Sequence, residues 1–349
     1  MLPSRRWLYA IALTGALIGV GTYAVSAARL AATLTKVAVT ATPITSFDNR
    51  DPALTRFGAL EFRGGLALTA AFEPFGGVSA IHFEPDGSRF LAVTDRGSWL
   101  RGRIVYRDGK PDSVTDTEMA PILAADGKPL AAYGWYDTES LTERDGLIYL
   151  GIERVHKIVR FNVRRDGLQA RGEAVATPAD FATMGANKGL ECLTASPKQS
   201  ALGGKLIAVS ERSLDAAGNI RGYALDGATA GDGVDDRALR FSVKRSDEFE
   251  VSDCVILPPG DLLLLERRYS PARGVGMRLR RVPLTALKDG ATVDGAVLID
   301  VDLAYQIDNM EGMAVHRNAA GETIITMVSD DNFSAIQRNL LLQFVLVGE

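Results

Sequence analysis

A two-part unit recurs five times along this chain, with a polar side chain, nearly always acidic, at the same two places in each copy. The first part is an acid or hydroxyl, a small residue and an apolar residue: Ser79-Ala80-Ile81, Glu139-Ser140-Leu141, Glu191-Cys192-Leu193, Asp253-Cys254-Val255 and Glu311-Gly312-Met313. The second part is an apolar strand ending in acid-Arg: Asp95-Arg96, Glu153-Arg154, Glu211-Arg212 and Glu266-Arg267, with Asp330-Asp331 in the fifth copy. Successive units begin 60, 52, 62 and 58 residues apart. Strand-rich repeats of that length predict a β-propeller with one blade per unit.

The strand count refines this reading. Four copies hold four strand-like segments each, and the last holds only three: EGMAVH, TIITMVS and NLLLQFVLV. An orphan strand at Ala59–Leu68 precedes the first copy. The predicted fold is therefore all-β, a propeller of five four-stranded blades whose ring is closed by an N-terminal strand joining the last blade. Closure of this kind removes exposed sheet edges. The count becomes six if residues 100–135 hide a further divergent blade. Segments such as Leu262–Leu265 and Ile324–Val328 are apolar on both faces, as strands buried between blades must be. Thr177 to Lys188 reads as an irregular loop over one face.

Composition bounds the rest. With 349 residues and 46% hydrophobic content, the chain can bury a large core, and a repeat array over most of its length argues for one domain, residues 56–349. Residues 28–55 read as an N-terminal extension. Residues 1–27 read as a signal peptide: Arg5-Arg6, an apolar run from Trp7, then the small-x-small site Val25-Ser26-Ala27. The run exceeds the usual ~7–15 residue apolar core, so an uncleaved membrane anchor is the competing reading. Ser4-Arg5-Arg6 also resembles a twin-arginine signal. A periplasmic or extracellular location is expected, with the membrane met only through this segment. The net charge of −4 lacks the basic face that nucleic acid requires. The expected state is a monomer.

Cys192 and Cys254 occupy one repeat position, where the other copies have Ala80, Ser140 and Gly312. Smallness is the shared property. Equivalent Cα atoms on neighbouring inner strands are expected beyond the ~7 Å limit for a disulfide, so both are read as small buried core residues.

The two acid positions lie on antiparallel neighbours joined by a short turn, so they fall at the same end of each blade. Acids from all blades then converge at one mouth of the central channel, where they repel unless cations or arginines compensate. Glu139, Glu191, Glu211 and Glu311 are the candidate catalytic groups. Asp95, Glu153, Asp253, Glu266, Asp330 and Asp331 are candidate ligands for a divalent cation, with Ca²⁺ favoured by several carboxylate oxygens. Arg96, Arg154, Lys188, Arg212 and Arg267 are candidate binders of a small anionic substrate. The competing reading makes each acid an inter-blade lock to a neighbouring arginine. His82, His156 and His316 fall at unrelated repeat positions, which argues against a three-histidine metal site. No Gly-x-Ser-x-Gly elbow, Walker loop or Cys/His metal cluster is present.

At these residues the sequence resembles the phytase-like family, described by the phrase "esterase-like activity of phytase". The resemblance is carried by Gly76-Gly77-Val78-Ser79, Thr94-Asp95-Arg96-Gly97, Asp137-Thr138-Glu139-Ser140-Leu141 and Gly151-Ile152-Glu153-Arg154. It continues through Lys188-Gly189-Leu190-Glu191, Ser210-Glu211-Arg212-Ser213, Asn309-Met310-Glu311-Gly312-Met313 and Ser329-Asp330-Asp331-Asn332-Phe333. It implies an exported propeller that hydrolyses a phosphate or other ester. It also implies distant similarity to the β-propeller phytases, in which acids hold Ca²⁺, basic residues hold phosphate and a metal-activated water attacks. The alternatives are a non-catalytic ligand- or partner-binding propeller of the cell envelope and a metal-dependent lactonase.

Overall fold

A computed structural model describes residues 33–185, 188–258, 260–271 and 273–347. The signal segment and the twin-arginine motif lie outside the described residues. Four strands precede the first blade: β1 (Thr35–Lys36), β2 (Val39–Ile44), β3 (Arg56–Phe57) and β4 (Leu60–Ala70). Blade 1 is β5 (Val78–Phe83), β6 (Arg89–Thr94), β7 (Ser98–Arg107) and β8 (Lys110–Pro121). Blade 2 is β9 (Thr138–Arg144), β10 (Leu147–Ile152), β11 (Lys157–Phe161) and β12 (Glu173–Val175). Blade 3 is β13 (Leu190–Ala195), β14 (Leu206–Leu214), β15 (Ile220–Leu225) and β16 (Leu239–Val243), to whose edge β20 (Thr292–Val293) adds in parallel. Blade 4 is β17 (Glu250–Leu257), β18 (Asp261–Ser270), β19 (Gly274–Pro283) and β21 (Ala296–Asp302). Blade 5 is β22 (Asn309–Arg317), β23 (Thr323–Asp330) and β24 (Asn339–Leu346).

The fold is a five-bladed all-β propeller, and β4 closes the ring. It pairs antiparallel with β24, from Leu68 opposite Asn339 to Leu60 opposite Leu346. The described part of the segment read as an N-terminal extension also takes part in the sheets. β2 extends blade 5 beyond β4, and β1 pairs with β8 at the edge of blade 1. One short stretch of chain thus covers the outer edges of both blades at the seam.

Blades are held by cores between them, and the period-2 alternation of strands builds those cores. In β18, Leu262 and Leu264 face blade 3, while Leu263 and Leu265 face blade 5. All four are 0% exposed, which explains why inner strands are apolar without alternation. Each such leucine contributes roughly 1.5–3 kcal/mol of burial.

Two expectations are corrected here. First, Cys192 and Cys254 form a disulfide, with Cα atoms 5.0 Å apart. The small repeat position is where adjacent innermost strands approach most closely. A Cβ on Gly312 would lie 2.7 Å from the Ser79 carbonyl oxygen, and Ser140 Oγ donates to the Leu190 carbonyl at 3.4 Å. Smallness was therefore the sign of proximity. Second, TVDGAVLIDV (residues 292–301), the last of the four strand-like segments counted in the fourth copy, divides at Asp294-Gly295. Gly295 packs against the Arg281 carbonyl, leaving no room for a side chain. The part before it joins blade 3 and the part after it joins blade 4. The 177–188 stretch includes a 3₁₀ turn, Ala179–Thr183.

Candidate functional site

Four of the five repeat positions at the start of the innermost strands sit on a β-bulge. Ser79, Glu139, Glu191 and Glu311 are each skipped in the register with the second strand. A bulged residue leaves the ladder and its side chain is re-aimed, here toward the channel mouth. The second acids of blades 2 and 3 leave the ladder as well. Glu153 opens a 3₁₀ turn, and Glu211 lies where β14 loses register with β15.

The result is a group of five buried carboxylates, Glu139, Glu153, Glu191, Glu211 and Glu311, none more than 9% exposed. Glu153, Glu191 and Glu211 each present an oxygen within 4.8 Å of the other two. Gly189 organises this triad. Its N–H donates to Glu153 Oε1 at 2.9 Å, and its carbonyl accepts from the Glu211 N–H at 2.8 Å. A Cβ there would lie 2.6 Å from His156 Nδ1 and 2.9 Å from Glu153 Cγ. On the side of blades 1 and 5, Asp95 and Asp330 border the group. Burial is the leading cause that pushes Asp95 to about 8, Glu153 to about 7, Glu311 to about 8 and Asp330 to about 6. Burial, with mutual repulsion behind it, holds Glu139 and Glu191 well above the usual carboxylate range.

Blade 4 breaks the pattern. Its bulge falls one residue earlier, on Ser252, so Asp253 stays paired opposite Leu265. The Asp253 carboxylate accepts from the N–H groups of Cys254 at 2.7 Å and Met313 at 2.6 Å. It fastens blade 4 to blade 5. β18 continues in regular pairing with β19 through Ser270, so alternation turns Glu266 and Arg267 to opposite faces. Glu266 enters the interface with blade 3, where it pairs with the buried Arg280. Both acids, expected as metal ligands, are therefore structural. Arg267, expected as an anion binder, points into the carboxylates instead. It bonds Glu311 Oε1 at 2.7 Å, Glu211 Oε1 at 3.1 Å and Asn309 Oδ1 at 2.7 Å.

The other predicted residues separate in the same way. Asp331 accepts from the Gly77 N–H at 2.9 Å and from Asn339 at 2.8 Å, so it fastens blade 5 to the loop entering blade 1. Arg96 lies on the Phe333 ring, 3.2 Å from its centroid, and Arg154 on the Tyr136 ring at 4.5 Å. Arg212 is half-exposed, 3.3 Å from Glu211 and 3.5 Å from Glu250. Lys188 is exposed, its stem over Gly185. His156 turns a buried Nδ1 toward Gly189, without a hydrogen-bond partner. Sequence reasoning missed Asp137 and Asn309, which stand two residues before Glu139 and Glu311. Asn309 donates to Glu311 Oε1 at 2.7 Å, and Asp137 adds to the repulsion that raises the proton affinity of Glu139. Their shared place in the repeat was the signal available.

Fold and site together define a five-bladed β-propeller with a buried acidic mouth that could hold a metal ion. The description "Esterase-like activity of phytase" matches residues 73–333, and the chain belongs to that phytase-like family. No curated protein matches the sequence. Among solved structures, glutaminyl cyclase from Myxococcus xanthus is 11% identical, with 78% of this chain and 92% of that chain covered and a TM-score of 0.41. The PQQ-bound aldose sugar dehydrogenase from Streptomyces coelicolor is 14% identical, with 88% and 98% covered and a TM-score of 0.39.

Proposed function

We propose that this protein is an exported hydrolase of a phosphate or other ester that works with a divalent cation, Ca²⁺, at the acidic mouth. The observation that carries the reading is the imbalance of charge: five buried carboxylates share the guanidinium of Arg267, with Arg212 reaching Glu211 from the exposed side. Two arginines cannot neutralise five acids, and burial followed by mutual repulsion raises the proton affinity of Glu139 and Glu191. The donor set fits a hard cation, because the triad offers only carboxylate oxygens. Glu311 Oε2, buried and without a hydrogen-bond partner, adds unused acceptor capacity beside it.

Glu153, Glu191 and Glu211 would hold the cation. When bound, such an ion polarises an ester oxygen and acidifies a water molecule. The chain's own residues supply the rest. Asp137 and Glu139 are neighbouring carboxyls whose proton affinity is raised, burial being the first cause for each, and they serve as the acid–base pair. Arg96 and Arg154, each braced on an aromatic ring, present guanidinium groups to the anionic substrate. The N-terminal apolar run supports export, and the acidic charge balance supports a partner other than nucleic acid.

The test pairs calorimetric Ca²⁺ titration with turnover of an aryl phosphate, an aryl ester and a lactone, with and without chelator. Glu191→Gln should lose cation binding and turnover while staying folded. Ca²⁺ binding without turnover would favour a non-catalytic binding propeller. Turnover of the lactone alone would favour a lactonase. Unchanged turnover in Glu191→Gln would sink the assignment.

A further inference from the structure

Two arginines of blade 4, Arg280 and Arg267, are held in opposite ways. Arg280 is 2% exposed and its guanidinium is held firmly. Its Nε donates to Glu266 Oε2 at 3.1 Å, its Nη1 to Asp294 at 3.0 Å and to the Lys244 carbonyl at 2.9 Å, and its Nη2 pairs with Glu266 Oε1. All three nitrogens have partners inside the protein, as a permanent lock requires. Arg267 is different. Its side chain is 26% exposed, and its Nε is buried with no hydrogen-bond partner. Its Nη2 is one hydrogen bond, 3.1 Å, from Glu211 Oε1, and Glu211 is a member of the cation triad. On the far side its Nη1 reaches Glu311 and Asn309.

We propose that Arg267 is a resident counter-cation of the mouth. It competes for Glu211 with the incoming divalent ion, and so makes cation binding weaker and more readily exchangeable than the triad alone would. This rests on the cation reading above. The register of blade 4 supplies the device: its β18–β19 ladder runs unbroken past the acid position to Ser270, and so delivers an arginine where its neighbours deliver carboxylates. A positive charge one hydrogen bond from a ligand oxygen opposes a dication directly. With protein-like screening, removing that charge is worth on the order of tenfold or more in affinity.

The experiment is calorimetric titration of Ca²⁺ alone into wild type, Arg267→Gln and Arg212→Gln, with folding checked by circular dichroism. The expected result is binding at least about tenfold tighter in Arg267→Gln, since a full charge is removed beside the triad. Arg212→Gln should move affinity by less than about threefold, because that arginine's charge is solvent-screened. Wild-type binding with equal or weaker affinity in Arg267→Gln overturns the proposal and leaves the cation reading standing. No binding in wild type and Arg267→Gln alike overturns the cation reading and this inference with it. If Arg267→Gln does not fold, Arg267→Gln/Glu311→Gln removes one charge of each sign and leaves the triad intact. Tighter Ca²⁺ binding in that pair supports the proposal, and equal or weaker binding overturns it.

Discussion

Breaking the Cys192–Cys254 bond should destabilise the ring measurably. The bond joins the innermost strands of blades 3 and 4 across a sequence separation of 62 residues. Closing a loop of that length removes chain entropy from the unfolded state worth about 4 kcal/mol. At about 2 °C per kcal/mol for a chain of this size, the melting temperature should fall by roughly 8 °C. The assay is thermal unfolding of oxidised protein, of protein refolded and kept in reductant, and of Cys192→Ala/Cys254→Ala. Both sulfurs lie in residues no more than 1% exposed, so the alanine pair also loses some packing and should melt slightly below the reduced protein. Because Cys192 follows Glu191 directly, Ca²⁺ affinity should drop in both altered forms. Two free thiols in the folded oxidised protein, with no shift on reduction, would refute the reasoning.

Three further outcomes are expected. Gly189→Ala should leave the fold intact and weaken Ca²⁺ binding by about tenfold or more, because misplacing a preorganised ligand carries that order of cost; an unaltered titration would count against Gly189 as organiser of the triad. Without cation, stability should fall as pH rises from 5 to 8, read by denaturant midpoints. Glu153, Glu311 and Asp95 hold protons to about 7, 8 and 8, against about 4 in the unfolded chain. The native state therefore binds more protons in that window, and the slope is negative. Added Ca²⁺ should recover stability at pH 8 and change little at pH 5, and a flat profile would be inconsistent with a buried acidic mouth. Arg280→Met should cost about 3–5 kcal/mol by leaving Glu266 buried and unpaired, and Arg280→Met/Glu266→Gln should recover most of it. If the single variant is as stable as wild type by denaturant unfolding, the Glu266–Arg280 pair is not the lock described.

The mouth acids of blades 2, 3 and 5 were legible because a propeller repeats its geometry. An acid at a fixed place in each unit converges on one end of the channel whatever the substrate. The same logic misplaced Asp253, Glu266 and Asp331, since repeat position gives depth along the channel and not the direction of a side chain. That direction depends on which residue is unpaired in the ladder, and a shift of one residue exchanges the two faces. Val251-Ser252-Asp253 and Leu190-Glu191-Cys192 differ too little in composition for the sequence to say where each bulge falls.

The sequence by itself determined an all-β propeller ring, with five blades favoured over six, its closure by the strand before the first blade, and the end of the channel where charge collects. These follow from strand count, strand period and spacing, which are properties of the chain taken locally. Tertiary structure alone decided that Cys192 meets Cys254, that Asp331 accepts from Gly77, and that Arg267 enters the carboxylates while Glu266 turns to Arg280. Each of these joins residues from different blades or strands. Their physical reason is the approach of backbones about the channel axis, which sets register and distance only once the ring is closed.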